Sequence, residues 1–297
     1  MSCIVGPNLV GSSGSYIGSV GSSGNNTLVF SLDAANIADY PGYTGSNSWY
    51  DPISKLTIPL YNFNKWCSYD SVTKSINFTR DSTGYSGSNI DGFAAGGYGR
   101  LDTTGTIGSS YLYANHTTEL IARVNDFTPA NGYGYTGSVA YGTTENTSAL
   151  LVFTGYHAMF MVGFQQPSSY FINYVIWDSP VSTISTSRIA LGTAGSGAPI
   201  IQGNWFYIAV SADRLNKCFK TYLNGSLIST DNVSTLGYTG SIPTVTGGYL
   251  AIGAAATGSV YNFWSKSNIA ITRLHRAVLT DSQILQNYNA FRGRFGI

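Results

Sequence analysis

The sequence predicts an all-β protein: a two-sheet antiparallel jelly-roll sandwich with one short C-terminal helix and an extended N-terminal arm of glycine and serine. Its 297 residues include 35 Gly, 22 Tyr and 14 Phe, and only 10% are charged. Such a composition favours strands over helices. Segments of alternating apolar residues recur between turn-forming residues, and helical spacing is convincing only at the C-terminus. One large β domain is compatible with this length.

The N-terminal segment differs in composition from the rest of the chain. Residues 11–24 contain eleven Gly or Ser in fourteen positions. Because such a segment loses much conformational entropy on ordering, it needs partners for its backbone hydrogen bonds. We therefore expect an arm over residues 1–26, held by neighbouring subunits of an assembly, and a sandwich domain over residues 27–297. The alternative is an arm that folds back on its own sandwich.

Five segments are predicted strands, because they are rich in β-branched and aromatic residues and are bounded by Gly, Asn, Asp or Ser. They are Thr27–Asp33, Thr117–Asn125, Ala149–Phe153, Trp205–Asp213 and Lys217–Leu223. Asn224 and Gly225 follow the last of them and predict a hairpin, since a type I′ turn needs positive φ at both central residues. Trp205 and Tyr222, in the two strands before this turn, are predicted to pack in the core.

The C-terminal segment changes period from strand to helix. Ile269, Ile271 and Leu274 are spaced as in a strand, whereas Ile284, Leu285, Tyr288 and Phe291 are spaced as on one face of a helix. Thr280 and Gln283 match a capping box, in which each side chain bonds the backbone of the other residue. We therefore expect a short amphipathic helix that begins at Asp281 and packs on the sandwich.

Charge and cysteine content narrow the function classes. The formal charge is +1 and there are six lysines, so no basic footprint for nucleic acid is present. The first basic residue is Lys55, and the N-terminus has no long apolar run. We therefore expect no signal peptide, no membrane insertion and synthesis in a cytoplasm. Cys3, Cys67 and Cys218 are an odd, widely spaced set, interpreted as free buried thiols.

No catalytic residues are predicted. The retaining-glucanase pattern E-x-D-x-x-E is absent, and the two glutamates, Glu119 and Glu145, lack partner carboxylates on one strand face. The aspartates at strand ends are interpreted as turn caps: Asp33, Asp51, Asp81, Asp91 and Asp102. The histidines are not at metal-binding spacing, so neither a metal nor a cofactor is predicted: His116, His157 and His275.

Three stretches of sequence carry a family resemblance. They are WYD at residues 49–51, the tryptophan and YLNG hairpin at residues 205–225, and the closing NYNAFRGRFGI. Together they resemble the concanavalin A-like, laminin G-like jelly-roll domains of marine tailed-phage (cyanophage-type) virion proteins, over about residues 27–297. GYTGS, which begins at Gly42, Gly134 and Gly237, looks like a loop tip of phage fibre proteins.

The resemblance implies a non-enzymatic virion structural protein, although this fold carries lectins, hydrolases and structural modules alike. It implies other virion subunits as partners through the arm and a homo-oligomer, for which trimers are common among such modules. One hypothesis is a fibre or appendage subunit that binds host-surface polysaccharide. The other is a head decoration or purely structural subunit with no glycan ligand. A polysaccharide depolymerase is a third class, disfavoured by the missing carboxylate pair.

Aromatic residues in the loops are the candidate glycan contacts, since a flat amphipathic ring can cover a pyranose while nearby hydroxyls bond its edge. The candidates are Tyr43, Trp49, Tyr50, Tyr133, Tyr135, Tyr141, Tyr238 and Trp264. For Trp49 and Tyr50 the resemblance implies a competing role, namely that they plug the end of the sandwich. Tyrosines in loops are also frequent at protein interfaces.

Overall fold

Two β-sheets face each other across an apolar core in the computed structural model of the chain. The structure describes residues 27–36, 39–40, 47–79, 96, 98–103, 114–126, 146–154, 158–166, 170–178, 181–192, 194–232, 248–253, 255–257, 260–262 and 265–297. The predicted all-β sandwich of two antiparallel sheets with a C-terminal helix is confirmed. The arm over residues 1–26 lies outside the described residues, so its boundary with the domain at residue 27 stays a prediction.

The structure contains nineteen strands in its described part. In chain order they are β1 (Leu28–Asp33), β2 (Ser48–Asp51), β3 (Leu56–Tyr61), β4 (Cys67–Asp70), β5 (Ser75–Phe78), β6 (Tyr98–Thr103), β7 (His116–Asp126), β8 (Asn146–Thr154), β9 (Ala158–Gln166), β10 (Tyr170–Asp178), β11 (Val181–Gly192), β12 (Ile200–Ile201), β13 (Trp205–Asp213), β14 (Cys218–Leu223), β15 (Ser226–Asn232), β16 (Gly248–Ile252), β17 (Ala255–Thr257), β18 (Val260–Asn262) and β19 (Lys266–His275).

The strands form two large sheets and one small one. The eight-stranded sheet has the order β15-β14-β13-β7-β19-β5-β4, with β1 also paired to β19. The nine-stranded sheet has the order β12-β11-β10-β9-β8-β16-β6-β3-β2, and β17 pairs with β18. The short β11–β12 pair is parallel, and the other pairs of named strands are antiparallel.

Period-two alternation explains which residues fill the core between the sheets. In β3, Ile58 and Leu60 are buried while Thr57 and Pro59 are exposed, as expected for a strand with one face on a core. Phe30 of β1 and Phe78 of β5 belong to the same buried cluster, which takes residues from both large sheets. The core therefore fixes which face of each sheet points outward.

The five predicted strands match β1, β7, β8, β13 and β14 to within a few residues. The predicted hairpin is confirmed, because Asn224 and Gly225 have φ angles of 48° and 77° between β14 and β15. Tyr222 is buried, and Trp205 is half-buried with its ring 4.8 Å from that of Phe295. Both residues therefore pack, as the sequence predicted.

The C-terminal helix α1 (Asp281–Phe295) begins where the capping box predicted. The Thr280 side chain accepts from the Gln283 amide, and the Gln283 side chain accepts from the Thr280 amide. Ile284 and Tyr288 are buried against the eight-stranded sheet. The prediction that Leu285 belongs to the packed face of the helix is wrong. Leu285 is exposed, because it lies about 100° around the helix from the buried Ile284.

Cys67 is buried and Cys218 is half-buried, and both are free thiols. Burial raises the pKa of the Cys67 thiol, which keeps it protonated and unreactive. Cys3 lies outside the described residues.

Among the residues that the structure describes, α1 falls short of the length and apolar content that a membrane-spanning helix needs.

Candidate ligand-binding face

The outer side of the nine-stranded sheet carries a group of tyrosines at one edge, on β2, β3, β6 and β16. Residues opposite each other in an antiparallel pair point to the same side of the sheet. Ile58, Leu60 and Ile252 point into the core, so their strand neighbours point outward. The outward residues that form this surface, here called the tyrosine face, are Tyr50, Tyr61, Tyr98, Arg100 and Tyr249.

Tyr61 and Tyr98 form a rigid aromatic platform within the tyrosine face. Their backbones are paired between β3 and β6, and their rings stack with centroids 4.7 Å apart and planes 11° from parallel. Tyr61 is 43% exposed, whereas Tyr98 is only 3% exposed. The Asn62 side-chain amide donates to the Gly96 carbonyl oxygen at 2.8 Å and ties the end of β3 to the start of β6. The buried ring thus holds the exposed ring in place.

The Tyr98 hydroxyl stays neutral at physiological pH. Burial, with the neighbouring Tyr61 hydroxyl adding to it, raises the pKa of Tyr98 to about 12, although Arg100 acts in the opposite direction. A neutral phenol can both donate and accept a hydrogen bond. The platform therefore combines an apolar ring surface with polar edges.

Arg100 brings a positive charge to the same surface. Its guanidinium carbon lies 5.0 Å from the centroid of the Tyr249 ring, within the range of a cation–π contact. Arg100 is half-buried and Tyr249 is 8% exposed. Because an aromatic ring covers one side of the guanidinium, its orientation is restricted.

Two of the sequence-predicted contacts lie on β2, and the structure separates them. Tyr50 is half-buried and points outward, opposite Thr57 of β3. Trp49 is fully buried in the core, with its ring 6.5 Å from that of Tyr40. This burial removes Trp49 from the candidate glycan contacts, because no ring surface remains for a sugar, and it agrees with the competing role as an end plug.

The other six predicted contacts lie outside the described residues: Tyr43, Tyr133, Tyr135, Tyr141, Tyr238 and Trp264. Sequence reasoning concentrated on loops and missed Tyr61, Tyr98, Arg100 and Tyr249, which lie in strands. The alternation in YGRLDT and GYLAI was the available signal, since it puts tyrosine and arginine on one face and Gly, Leu and Ile on the other.

Glu119 forms a buried polar network between the eight-stranded sheet and α1. Its carboxylate accepts from the Tyr207 hydroxyl, from His275 Nε2 at 2.8 Å and from the Asn287 side-chain amide at 2.9 Å. Burial opposes ionisation of Glu119, but His275 and these hydrogen bonds outweigh it and lower its pKa to about 2. Glu119, Tyr207 and His275 are each about 1% exposed, so a polymer substrate cannot reach them.

The expected turn-capping role is confirmed for two aspartates. Asp51 accepts from the amides of Ser31, Ile53 and Ser54, and Asp33 accepts from the amide of Ala35. Asp33 also pairs with Arg294 of α1 at 2.7 Å. Asp81 and Asp91 lie outside the described residues, and Asp102 lies near the end of β6.

Asp39, between β1 and β2, has an unusual protonation equilibrium. Its carboxyl oxygens accept from the Asp33 amide at 2.9 Å and from the Asn36 side-chain amide at 2.6 Å. Burial raises the pKa of Asp39 to about 7, and the Asp33 and Asp51 carboxylates contribute in the same direction. Asp39 is fully buried, so this shift affects stability and not an exposed reactive group.

This shift predicts a pH dependence of stability. The pKa of Asp39 in the folded protein lies above its value of about 3.9 in the unfolded chain. The protonated Asp39 side chain therefore stabilises the fold fully below pH about 3.9, and this stabilisation is lost as pH rises towards about 7. We expect Asp39→Asn, which stays neutral, to reduce this decline. Urea unfolding across the window, compared with Asp126→Asn, measures it; equal slopes in Asp39→Asn and wild type would contradict the assignment.

Histidines occupy protected positions in the described part of the chain. Burial lowers the pKa of His116 to about 4, although its Nδ1 lies 3.0 Å from the Ala114 carbonyl oxygen, and His275 binds Glu119. His157 lies outside the described residues. Among the residues that are described, no group of three or more His, Cys, Asp or Glu is arranged to hold a metal ion.

Comparison with known proteins supports the fold. No family model and no curated protein matches the chain. Among solved structures it resembles the binding domain of botulinum neurotoxin DC in complex with rat synaptotagmin II (TM-score 0.54, 13% identity, covering 90% of this chain and 52% of that chain). It also resembles the binding domain of Paraclostridial Mosquitocidal Protein 1 (TM-score 0.55, 13% identity, 90% and 52% coverage).

A third similar structure is the binding domain of botulinum neurotoxin DC in complex with SialylT, at a TM-score of 0.54 and 13% identity, covering 89% of this chain and 51% of that chain. The chain thus spans about half the length of these structures. At this identity the likeness shows the fold alone: a β-sandwich of the lectin-like kind, found here in binding domains.

Proposed function

We propose that the chain is a non-enzymatic phage virion structural protein, a fibre or surface-appendage subunit whose lectin-like domain binds host-surface glycans. The observation that carries the proposal is the exposed Tyr61 ring stacked at 4.7 Å on the buried Tyr98 ring. A ring already fixed in orientation loses little entropy when a pyranose stacks on it. The exposed side of Tyr61 therefore provides a preorganised contact surface.

Two further observations support this proposal. The similar solved structures are binding domains, one of them in complex with SialylT, which is a precedent for ligand binding by proteins of this fold. The closing NYNAFRGRFGI and the GYTGS segments resemble virion proteins of marine tailed phages. In this proposal residues 1–26 attach the domain to other virion subunits, and the subunits form a homo-oligomer, with a trimer as the expected number.

Replacing Tyr61 with alanine is expected to weaken glycan binding about tenfold, which corresponds to roughly 1.4 kcal/mol, because it removes the exposed half of the platform. Tyr61→Phe retains the ring and should keep most of the affinity. Binding is measured on an oligosaccharide array and then by titration calorimetry. Val72→Ala, a change at an exposed residue between β4 and β5 of the other sheet, is the matched control. Wild-type affinity in Tyr61→Ala would contradict the proposed site.

The non-enzymatic and virion parts of the proposal are tested separately. Purified protein incubated with host envelope polysaccharide should release no new reducing ends, since a depolymerase would need a reachable pair of carboxylates. Mass spectrometry of purified phage particles should detect the chain as a virion component. Release of reducing ends would overturn the non-enzymatic part of the proposal. Absence of the chain from the particles would overturn the virion part.

A purely structural role, such as head decoration, is the second candidate. It is favoured by the edge strand β15, which contacts α1 and exposes Leu227 and Ile228. Exposed apolar residues on an edge strand favour association with another subunit. A side-chain-resolution map of the particle separates the two roles: in a decoration protein the tyrosine face would be covered by a neighbour, whereas in a glycan-binding appendage it would face outward.

A further inference from the structure

We propose that the outer edge of β15 is a subunit interface, at which two copies of this chain join their eight-stranded sheets across a two-fold axis. Such a contact deepens the homo-oligomer part of the proposed function, on which it rests, and is independent of glycan binding. Three features of the molecule support it: the length of β15, the side chains that β15 carries, and the exposed apolar residues around it.

β15 is the longest of the strands at the ends of the two large sheets. It has seven residues, whereas β2 and β4 have four each and β12 has two. Among the described strands only β14 pairs with β15; β11 of the facing sheet approaches β15 but is not paired with it. An edge strand offers a row of backbone donors and acceptors to another chain, and natural edge strands are often kept short for this reason. β15 is therefore the edge where an added strand would gain most hydrogen bonds.

The side chains of β15 give its edge little protection against association. Edge strands are commonly protected by lysine, proline or charge, and β15 contains neither Lys nor Pro. Its one charged residue, Asp231, is opposite the core residue Phe219 and so points to the inner side, where it accepts from the Ser229 hydroxyl at 2.7 Å. A bulge at Ile228 interrupts the register with β14, but Ser229 to Asn232 pair regularly. The helix side of β15 is thus uncharged.

Exposed apolar side chains lie next to this edge. Leu227 and Ile228 are 42% and 44% exposed, and Leu285 of α1 is 46% exposed. Leu227 is opposite Tyr222, which packs beneath α1, so Leu227 points to the helix side of the sheet. Leu285 lies against the turn before β15, since a Cβ added at Gly225 would be 3.1 Å from its side chain. Apolar residues grouped in this way favour contact with another protein surface.

A second copy of the chain is the occupant that fits this edge. A two-fold contact needs a surface that is complementary to itself, and a strand edge meets this condition because antiparallel strands exchange the same donors and acceptors. Among the described strands at the sheet ends, none but β15 itself matches β15 in length. The apolar side chains of each copy would cover those of the other. If residues 1–26 join subunits into trimers, the β15 contact would join two such trimers.

The mass of the assembly in solution tests this contact. Light scattering after size-exclusion chromatography, over a range of concentrations, is expected to show an even number of copies for the wild type. Leu227→Lys and Ile228→Lys each place two charges in the contact, one from each copy, and should halve the mass. We expect the dissociation constant to rise about tenfold for each copy, and therefore about a hundredfold in all. Val72→Lys, the same kind of change at an exposed residue between β4 and β5, is the matched control and should keep the wild-type mass.

Cysteine crosslinking tests where the two copies meet. Single cysteines are introduced at three exposed positions of β15: Leu227, Thr230 and Asn232. The background carries Cys3→Ser and Cys218→Ser, so that the buried Cys67 is the one native thiol left. Under an added oxidant, at least one of the three β15 variants should form a covalent pair of chains. Val72→Cys on the same background should not, and thermal unfolding verifies that each variant is folded.

The results separate this interface from the other parts of the proposed function. A monomeric wild type, an unchanged mass in both lysine variants, or crosslinking no stronger from β15 than from Val72 would each overturn the β15 contact. A trimer that persists in the lysine variants would overturn it too and would assign assembly to another surface. Since Tyr61 lies on the other sheet, failure of the β15 contact leaves glycan binding intact, and failure of glycan binding leaves the β15 contact intact.

Discussion

Glu119→Ala is expected to lower the free energy of unfolding by about 3–5 kcal/mol, because it leaves several buried hydrogen-bond donors without an acceptor. Without the carboxylate, His275 Nε2, the Tyr207 hydroxyl and the Asn287 amide each lose an acceptor in a region that water does not reach. Because the network joins β7, β13 and β19 to α1, we expect the helix to detach first. Urea unfolding followed by circular dichroism measures the loss.

The control for this prediction is an ion pair at the surface. Asp126→Ala removes the partner of Lys266, 2.8 Å away, and both side chains are partly exposed. Such pairs contribute about 1 kcal/mol or less, so Asp126→Ala should be much milder than Glu119→Ala. Similar losses in the two variants would show that the Glu119 network does not hold the helix.

The same network predicts acid sensitivity. The folded-state pKa of Glu119, about 2, lies below its unfolded value of about 4.3. The ionised Glu119 side chain therefore stabilises the fold at pH values above about 4.3, and this stabilisation is lost as pH falls towards about 2. Glu119→Gln should show a smaller loss of stability than wild type over this window, which lies below most of the Asp39 window.

Gly253→Ala is expected to destabilise the protein by about 2–5 kcal/mol, the sum of roughly 1–2 kcal/mol for a left-handed backbone and roughly 1–3 kcal/mol for overpacking. Gly253 has a φ of 81°, and a Cβ there would lie 2.6 Å from two atoms of the Phe78 ring. Phe78 is fully buried in the core and cannot move aside. Thermal and urea unfolding measure the effect.

Gly203→Ala separates the cost of the left-handed backbone from the cost of overpacking. Gly203 has nearly the same φ, 82°, but nothing lies within 4 Å of an added Cβ. It should therefore show only the backbone cost of about 1–2 kcal/mol. If both glycine variants lose the same stability, the close approach of β16 to Phe78 is not a constraint on the core.

Local signals predicted much of the fold. The capping box at Thr280 and Gln283 and the turn at Asn224 and Gly225 involve residues a few positions apart, so their geometry is encoded in short stretches of sequence. Alternation located the strands for the same reason. Leu285 shows the limit of this approach, because apolar spacing alone does not tell which flank of the helix face meets the sheet.

The candidate site and the buried network depend on contacts that sequence spacing does not reveal. Tyr61 meets Tyr98 only because β3 pairs with β6, and that register is set by the packing of the core. Glu119 bonds Tyr207, His275 and Asn287, which lie 88, 156 and 168 residues further along the chain. A search for two carboxylates therefore did not reveal a carboxylate whose partners are a phenol, an imidazole and an amide.

The fold and the proposed function are connected through the rigidity of the nine-stranded sheet. Tyr61 and Tyr98 are at the end of one strand and the start of another, and the opposite faces of these strands fill the core through Leu60 and Leu101. Sites on strands are held more precisely than sites on loops. The same core that stabilises the sandwich therefore orients the platform.

A crystal structure of the chain with its tightest-binding glycan would show where the sugar binds. We expect a pyranose ring stacked on the exposed side of Tyr61. A glycan bound at another surface, with the Tyr61 ring uncovered, would contradict the proposed glycan site.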